Sequence, residues 1–140
     1  GQKRYQSVKK QLAGVSIGSN VVVKPYINNM PQVLPKVDLI VGRAGATSLA
    51  EITAIGIPAI LIPSPYVTAN HQTKNAMSLV KRDAAVLLTE KQLNHQSLVH
   101  DVDKLISEPN RLSEMTMNSK RIGMPDASDR VLRVLKALTK

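Results

Sequence analysis

Cysteine, phenylalanine and tryptophan are all missing from this 140-residue chain. Without cysteine there are no disulfides, no thiolate metal sites and no Cys nucleophile. Aromatic residues are limited to three Tyr. The core must therefore be built from Leu, Ile, Val, Ala and Met, and stacking platforms for single-stranded nucleic acid are nearly absent. Long apolar runs are lacking too. The longest, around residues 59–65, is short and holds prolines, far from the ~18 residues of a membrane-spanning helix. No signal peptide is evident.

What is present is a chain of single-domain size with 43% apolar residues and a net charge of +9. That apolar content argues against disorder. The positive balance favours anionic partners such as phosphorylated ligands, nucleic acid or an anionic membrane, and it is equally compatible with a solvated lysine-rich surface.

The apolar pattern predicts an exposed amphipathic helix over residues 2–12 and a β-branched strand over 20–26 (NVVVKPY). A short helix over 30–36 follows, with Pro31 in its first turn, then a strand over 37–41 (VDLIV). Residues 46–55 read as a helix closed by Gly56, 58–62 as a strand, 70–81 as a helix begun at Thr68 or Asn70, and 84–88 as a strand. Three helices end the chain, over 97–107, 109–122 and 126–138, the last with Asp126 as N-cap and a stripe of Val131, Leu132, Leu135 and Leu138. Strands of this kind, continuous rather than alternating, belong to parallel sheets covered on both faces. The expectation is a single α/β domain spanning residues 1–140: a Rossmann-like parallel sheet with helices on both faces and a helical carboxyl-terminal tail.

Such sheets bind ligands beyond the carboxyl ends of their strands. There the chain reads "VGRAGATSLAE", residues 41–51. Gly42 and Gly45 permit a sharp turn and close backbone approach. Ala46, Thr47 and Ser48 open a helix, whose free N–H groups and dipole attract an anion such as a diphosphate. No Gly-Lys-Ser/Thr follows, so this is not a P-loop. An ordinary turn with a hydroxyl N-cap would use the same residues. Glu51, four residues after Thr47, could accept hydrogen bonds from a ribose diol or simply complement the dipole. Arg43 could steady phosphate oxygens or pair with an acidic neighbour. In "PSPYVTANHQTKNA" (63–76), His71 and Gln72 stand at a helix start, suited to sugar hydroxyls or to solvent. His95 and His100 have no supporting ligands, which argues against a metal site.

The run "GRAGATSLAEITAIGIPAILIPSPYVTANHQTKNA" (42–76), with "YINNMPQVLPKVDLIVGRAGA" before it and "MPDASDRVLRVL" near the end, closely resembles the carboxyl-terminal domain of the MurG family. These are the UDP-N-acetylglucosamine (UDP-GlcNAc) transferases that complete the lipid-linked disaccharide of peptidoglycan. The resemblance covers nearly the whole chain from about Val21. It implies the carboxyl-terminal half of a two-domain GT-B glycosyltransferase, inverting, with no cofactor and no bound metal. It also implies that the backbone at Ile27 reads the uracil edge, that Ala46, Thr47 and Ser48 face the diphosphate, and that Glu51 holds the ribose; Arg43 and Gly45 stand beside them as candidate donor contacts. His71 and Gln72 match a family Gln-Gln pair near the sugar, His71 departing from it. The implied partners are UDP-GlcNAc, a lipid-linked acceptor and an anionic membrane touched peripherally on its cytoplasmic, inner face; no nucleic acid is expected.

The family's amino-terminal domain, with the catalytic base, has no counterpart here. Neither does the first strand of this domain with its Gly-rich turn, nor a family arginine near the domain's start. The expectation is a fragment that binds the donor weakly and does not transfer sugar alone. Two other readings stand beside it: one chain of a split GlcNAc transferase acting on dolichol-diphosphate sugar, and a basic α/β module binding nucleic acid.

Overall fold

A computed structural model describes residues 2–139. The chain divides into two compact units, Gly1–Val33 and Leu34–Lys140.

The first unit holds helix α1 (Gln2–Gln11) and the short helix α2 (Met30–Val33). Gly14, at φ +89°, turns the chain out of α1, where a left-handed backbone suits glycine. The strand expected over residues 20–26 does not form. The segment pairs with no strand among the described residues, and Val22 is 72% exposed. β-branched residues favour a pleated surface only where a neighbouring strand supplies the ladder. Helix α2 is capped from within: the N–H groups of Gln32 and Val33 both reach the Asn29 carbonyl. The helix expected over 30–36 is thus half α-helix, and in the second unit Leu34–Lys36 continues as a 3₁₀ turn around Pro35.

The second unit is built on strands β1 (Ile40–Gly42), β2 (Ala59–Leu61) and β3 (Ala85–Leu87), parallel and in the order β1-β2-β3. Ile40, Ala59 and Ala85 stand in one row and Gly42, Leu61 and Leu87 in another, so the three strands end level. Helix α3 (Ala46–Ile55) connects β1 to β2, and α4 (His71–Val80) connects β2 to β3. Helices α5 (His95–Ser107), α6 (Pro109–Ile122) and α7 (Ala127–Leu138) follow. The parallel sheet with helices on both faces and a helical tail is as the sequence pattern predicts.

Strand β2 explains why its sequence is wholly apolar. Ala59 and Leu61 pack into a core with Leu49 and Ile52 of α3 and Ala76 and Leu79 of α4. Ile60, from the same strand, packs into a second core with Leu105 of α5 and Met115 of α6. Alternate side chains go to opposite faces, and both faces are dry.

The amino end of the sheet is closed by α3 and α6. Gly56 ends α3 at φ +86°, its N–H and that of Ile57 both bonded to the Ile52 carbonyl. Buried Ser119 of α6 donates to the Ile57 carbonyl at 3.4 Å. A methyl group on Gly123 would collide with the Thr53 carbonyl, so only glycine allows this approach. Two helix starts differ from expectation. Helix α5 begins at His95 rather than residue 97, because Asn94 and Ser97 cap each other reciprocally. Asp126 occupies the N-cap of α7 but makes no cap bond; its carboxylate pairs with Arg130 at 2.9 Å. No described residue of α7 is buried.

Candidate functional site

The loops leaving the three strands meet at the carboxyl end of the sheet. The first, Arg43 to Gly45, leads into α3. Gly45 is the N-cap, extended (φ −71°, ψ 141°) and without a side-chain cap bond, so the hydroxyl cap that the sequence allowed is not used. The first backbone N–H to find a helical carbonyl is that of Leu49, bonded to Gly45 at 3.0 Å. The N–H groups of Ala46, Thr47 and Ser48 have no acceptor among the described residues, and all three residues are exposed. Three open donors at a dipole's positive end form an anion-binding geometry.

Glu51 is the sixth residue of α3 and is exposed. Its carboxylate makes no hydrogen bond or ion pair among the described residues. The dipole's influence fades within the first turn, and no acidic residue lies in that turn. Glu51 is therefore poorly placed to complement the dipole, and it shares the exposed face with Thr47, one turn below.

Arg43 is committed within the protein. Its guanidinium donates to Glu90 in a two-pronged pair, Nη1 to Oε2 at 2.5 Å and Nη2 to Oε1 at 3.4 Å, and Nη1 also donates to the Ile62 carbonyl at 3.2 Å. One side chain from the β1 exit thus ties down the exits of β2 and β3. The Arg43 hydrogen bonds hold the Glu90 carboxyl below the usual carboxylate range, and the same contact raises the Arg43 pKa.

The second loop, after β2, prepares α4. Ala69 and Asn70 both have left-handed backbones, at φ 54° and 51°, an unfavourable geometry for alanine. Neither Thr68 nor Asn70 caps α4 with its side chain. The Asn70 amide oxygen instead accepts from the Thr73 hydroxyl at 2.6 Å. His71 Nδ1 lies 2.8 Å from the Thr68 carbonyl. A carbonyl only accepts, so Nδ1 carries a proton. The Gln72 amide oxygen accepts the Ser64 N–H at 2.9 Å, which leaves its NH₂ group as a donor. A cavity of about 520 Å³ lies between the β2 and β3 exits, lined by Pro63, Pro65, Tyr66, Thr73, Glu90 and Lys91.

Eight of the nine site residues named from the sequence thus lie in the second unit, on two of its loops and the helices they open. Ile27 lies half-buried in the first unit, outside any helix or strand. Glu90 and Asn75 were not singled out. Glu90 sat in a strand exit with no motif to distinguish it, and Asn75 sat unnoticed within "NHQTKNA". Among the described residues no group of three His, Cys, Asp or Glu could hold a metal ion, and no helix is long and apolar enough to cross a membrane.

Residues 1–131 match the model of the glycosyltransferase family 28 C-terminal domain. The chain belongs to this family. It is 58% identical over 138 residues to the UDP-N-acetylglucosamine–N-acetylmuramyl-(pentapeptide) pyrophosphoryl-undecaprenol N-acetylglucosamine transferase of Levilactobacillus brevis, covering 99% of this chain and 38% of that protein. It is 49% identical over 140 residues to the transferase of the same name from Halalkalibacterium halodurans, 100% of this chain and 39% of that protein. This family 28 domain therefore spans about two fifths of the length of these curated relatives. Among solved structures, Acinetobacter baumannii MurG superposes with a TM-score of 0.84 at 24% identity, over 98% of this chain and 41% of that one. The glycosyltransferase VinC, solved in complex with dTDP, superposes at 0.67 with 18% identity, over 91% and 32%. Both share the fold.

Proposed function

We propose that this family 28 domain is the donor-binding part of an inverting transferase that moves GlcNAc from UDP-GlcNAc to undecaprenyl-diphosphate-linked MurNAc-pentapeptide. The observation that carries the reading is the start of α3: three N–H groups and, one turn on, an exposed carboxylate, none with a partner among the described residues. Diphosphate oxygens accept from the N–H groups of Ala46, Thr47 and Ser48. The ribose diol donates to Glu51. The NH₂ of Gln72 and the imidazole of His71 face sugar hydroxyls. Arg43, partly neutralised by Glu90, shapes the loop and adds positive potential rather than clamping phosphate directly.

The chemistry of transfer fits this division of labour. As the bond from the anomeric carbon to the diphosphate breaks, negative charge grows on the departing UDP. Fixed N–H donors stabilise that charge without reorganising. The acceptor site and the base that deprotonates the acceptor hydroxyl belong to the remaining length of the full transferase. The names of the relatives favour this reading over the split dolichol-diphosphate transferase. The protein works on the cytoplasmic face of the bacterial plasma membrane, held peripherally, its +9 charge adding attraction to anionic lipid.

Titrating the isotopically labelled chain with UDP-GlcNAc, UDP and GDP tests the reading. The expected result is amide shifts at Thr47 and Glu51 with the two uridine ligands and much smaller ones with GDP. Equal responses to all three, or responses to DNA alone, would count against it.

A further inference from the structure

Asn75 lies on α4, half-buried, and its side-chain Nδ2 donates to the Ala44 carbonyl at 3.2 Å across 31 residues of sequence. Ala44 is fully buried, and no backbone N–H reaches its carbonyl among the described residues. The next residue is Gly45, the N-cap of α3. Two facts make this bond more than one contact among many. A buried carbonyl that loses its donor must rotate to find another. Here rotation is easy, because glycine on the far side of the peptide places little steric limit on φ. The orientation of the Ala44–Gly45 peptide is thus not fixed by its own sterics; it is fixed from α4.

The consequence reaches the ligand. In a planar trans peptide the C=O and N–H point in opposite directions. Holding the Ala44 oxygen toward Asn75 therefore aims the Gly45 N–H away from α4, and it sets the angle at which the N–H groups of Ala46, Thr47 and Ser48 leave the turn. We propose that Asn75 is a positioning residue for the donor diphosphate: it touches no ligand, but it pins the peptide from which the anion-binding amides are presented. The neighbouring Gln72 amide holds Ser64 on the next loop in the same way, so one face of α4 ties two loop exits. The inference rests on the donor-site reading above, and it assigns that site a residue without any motif of its own.

The test uses Asn75→Asp, which keeps the shape of the side chain and removes the donor, alongside Asn75→Ala. UDP-GlcNAc binding is followed by amide shifts at about pH 7.5 and about pH 5. Each variant is compared with the unsubstituted chain at the same pH, which removes pH effects common to all. At the higher pH, Asn75→Asp should weaken binding about tenfold and move the Gly45 amide signal in the free protein. Lowering the pH moves the introduced carboxyl toward its protonated form, which donates in place of the amide. Affinity should then recover. Asn75→Ala should stay weak at both.

Unchanged affinity in either folded variant overturns the proposal. So does an equal loss at both pH values in Asn75→Asp, which would mean a packing role alone. If Asn75→Asp does not fold, Asn75→Ala decides by the affinity and the Gly45 signal together. No response of the unsubstituted chain to UDP-GlcNAc would remove the donor site itself and this inference with it.

Discussion

The two ends of one three-stranded sheet are built on different principles. At the amino end, contacts are close and buried: Gly123 lies against the Thr53 carbonyl, Ser119 is fully buried, and Ile57, whose carbonyl it bonds, is buried too. At the carboxyl end, long polar side chains reach between loops: Asn75 to Ala44, Gln72 to Ser64, Arg43 to Ile62 and Glu90. There the backbone includes left-handed Ala69 and Asn70, and helix α3 begins with its donors unused. The first end is optimised for packing. The second leaves hydrogen-bonding capacity unfilled and keeps it in place with ties from side chains, as expected where a protein gives up local stability for recognition.

Substitutions should separate the two ends. The largest effect is expected at the closed end. Gly123→Ala forces a methyl group onto backbone and should cost about 2–3 kcal/mol, read as a lower midpoint in urea. The protein that remains folded should bind UDP normally, and a matching loss of affinity would show that the two ends are coupled. Glu51→Ala should do the reverse. It should weaken UDP binding by about 1–3 kcal/mol, from lost hydrogen bonds to a charged group, and leave the urea midpoint unchanged; a calorimetric titration with no change would return Glu51 to a solvated surface role. Ala69→Gly relieves a left-handed alanine and should raise stability by about 0.5 kcal/mol, the unusual case of a glycine that stabilises. A fall instead would mean that the alanine methyl contributes packing greater than the strain.

The smallest effect concerns pH. Arg43 depresses the Glu90 pKa in the folded state. The pair's contribution is therefore complete above the ordinary carboxylate pKa and is lost as pH falls through the lowered folded value. Glu90→Gln should flatten stability against pH in that acidic window and nowhere above it. Both groups are largely solvated, so the change should be slight.

Much of this molecule could be read before its structure. Patterns that depend on neighbours in sequence were plain: the apolar runs of β1, β2 and β3, Gly56 closing α3, and the stretch that opens α3. Patterns that depend on a partner elsewhere were not. Residues 20–26 have a strand's composition, but no neighbouring strand pairs with them among the described residues. Asp126 and Asn70 have the right chemistry for caps, yet each found a better-placed partner, Arg130 and Thr73. The commitment of Arg43 to Glu90 spans 47 residues, and nothing local marks it. For the same reason Asn75 passed unnoticed. A side chain that acts by holding another segment's carbonyl has no spacing rule of its own.

The level register of the strands has a further consequence. Gly42, Leu61 and Leu87 stand abreast, so the three loops depart from a common baseline. A residue inserted into one loop leaves the strand alignment untouched. Each loop can therefore lengthen without a change of register, while the bonds of Arg43, Gln72 and Asn75 couple the polar groups of one exit to those of the next. A shelf of this kind lets a sugar-nucleotide site change what it selects in single steps, with the sheet beneath serving as an unmoving reference.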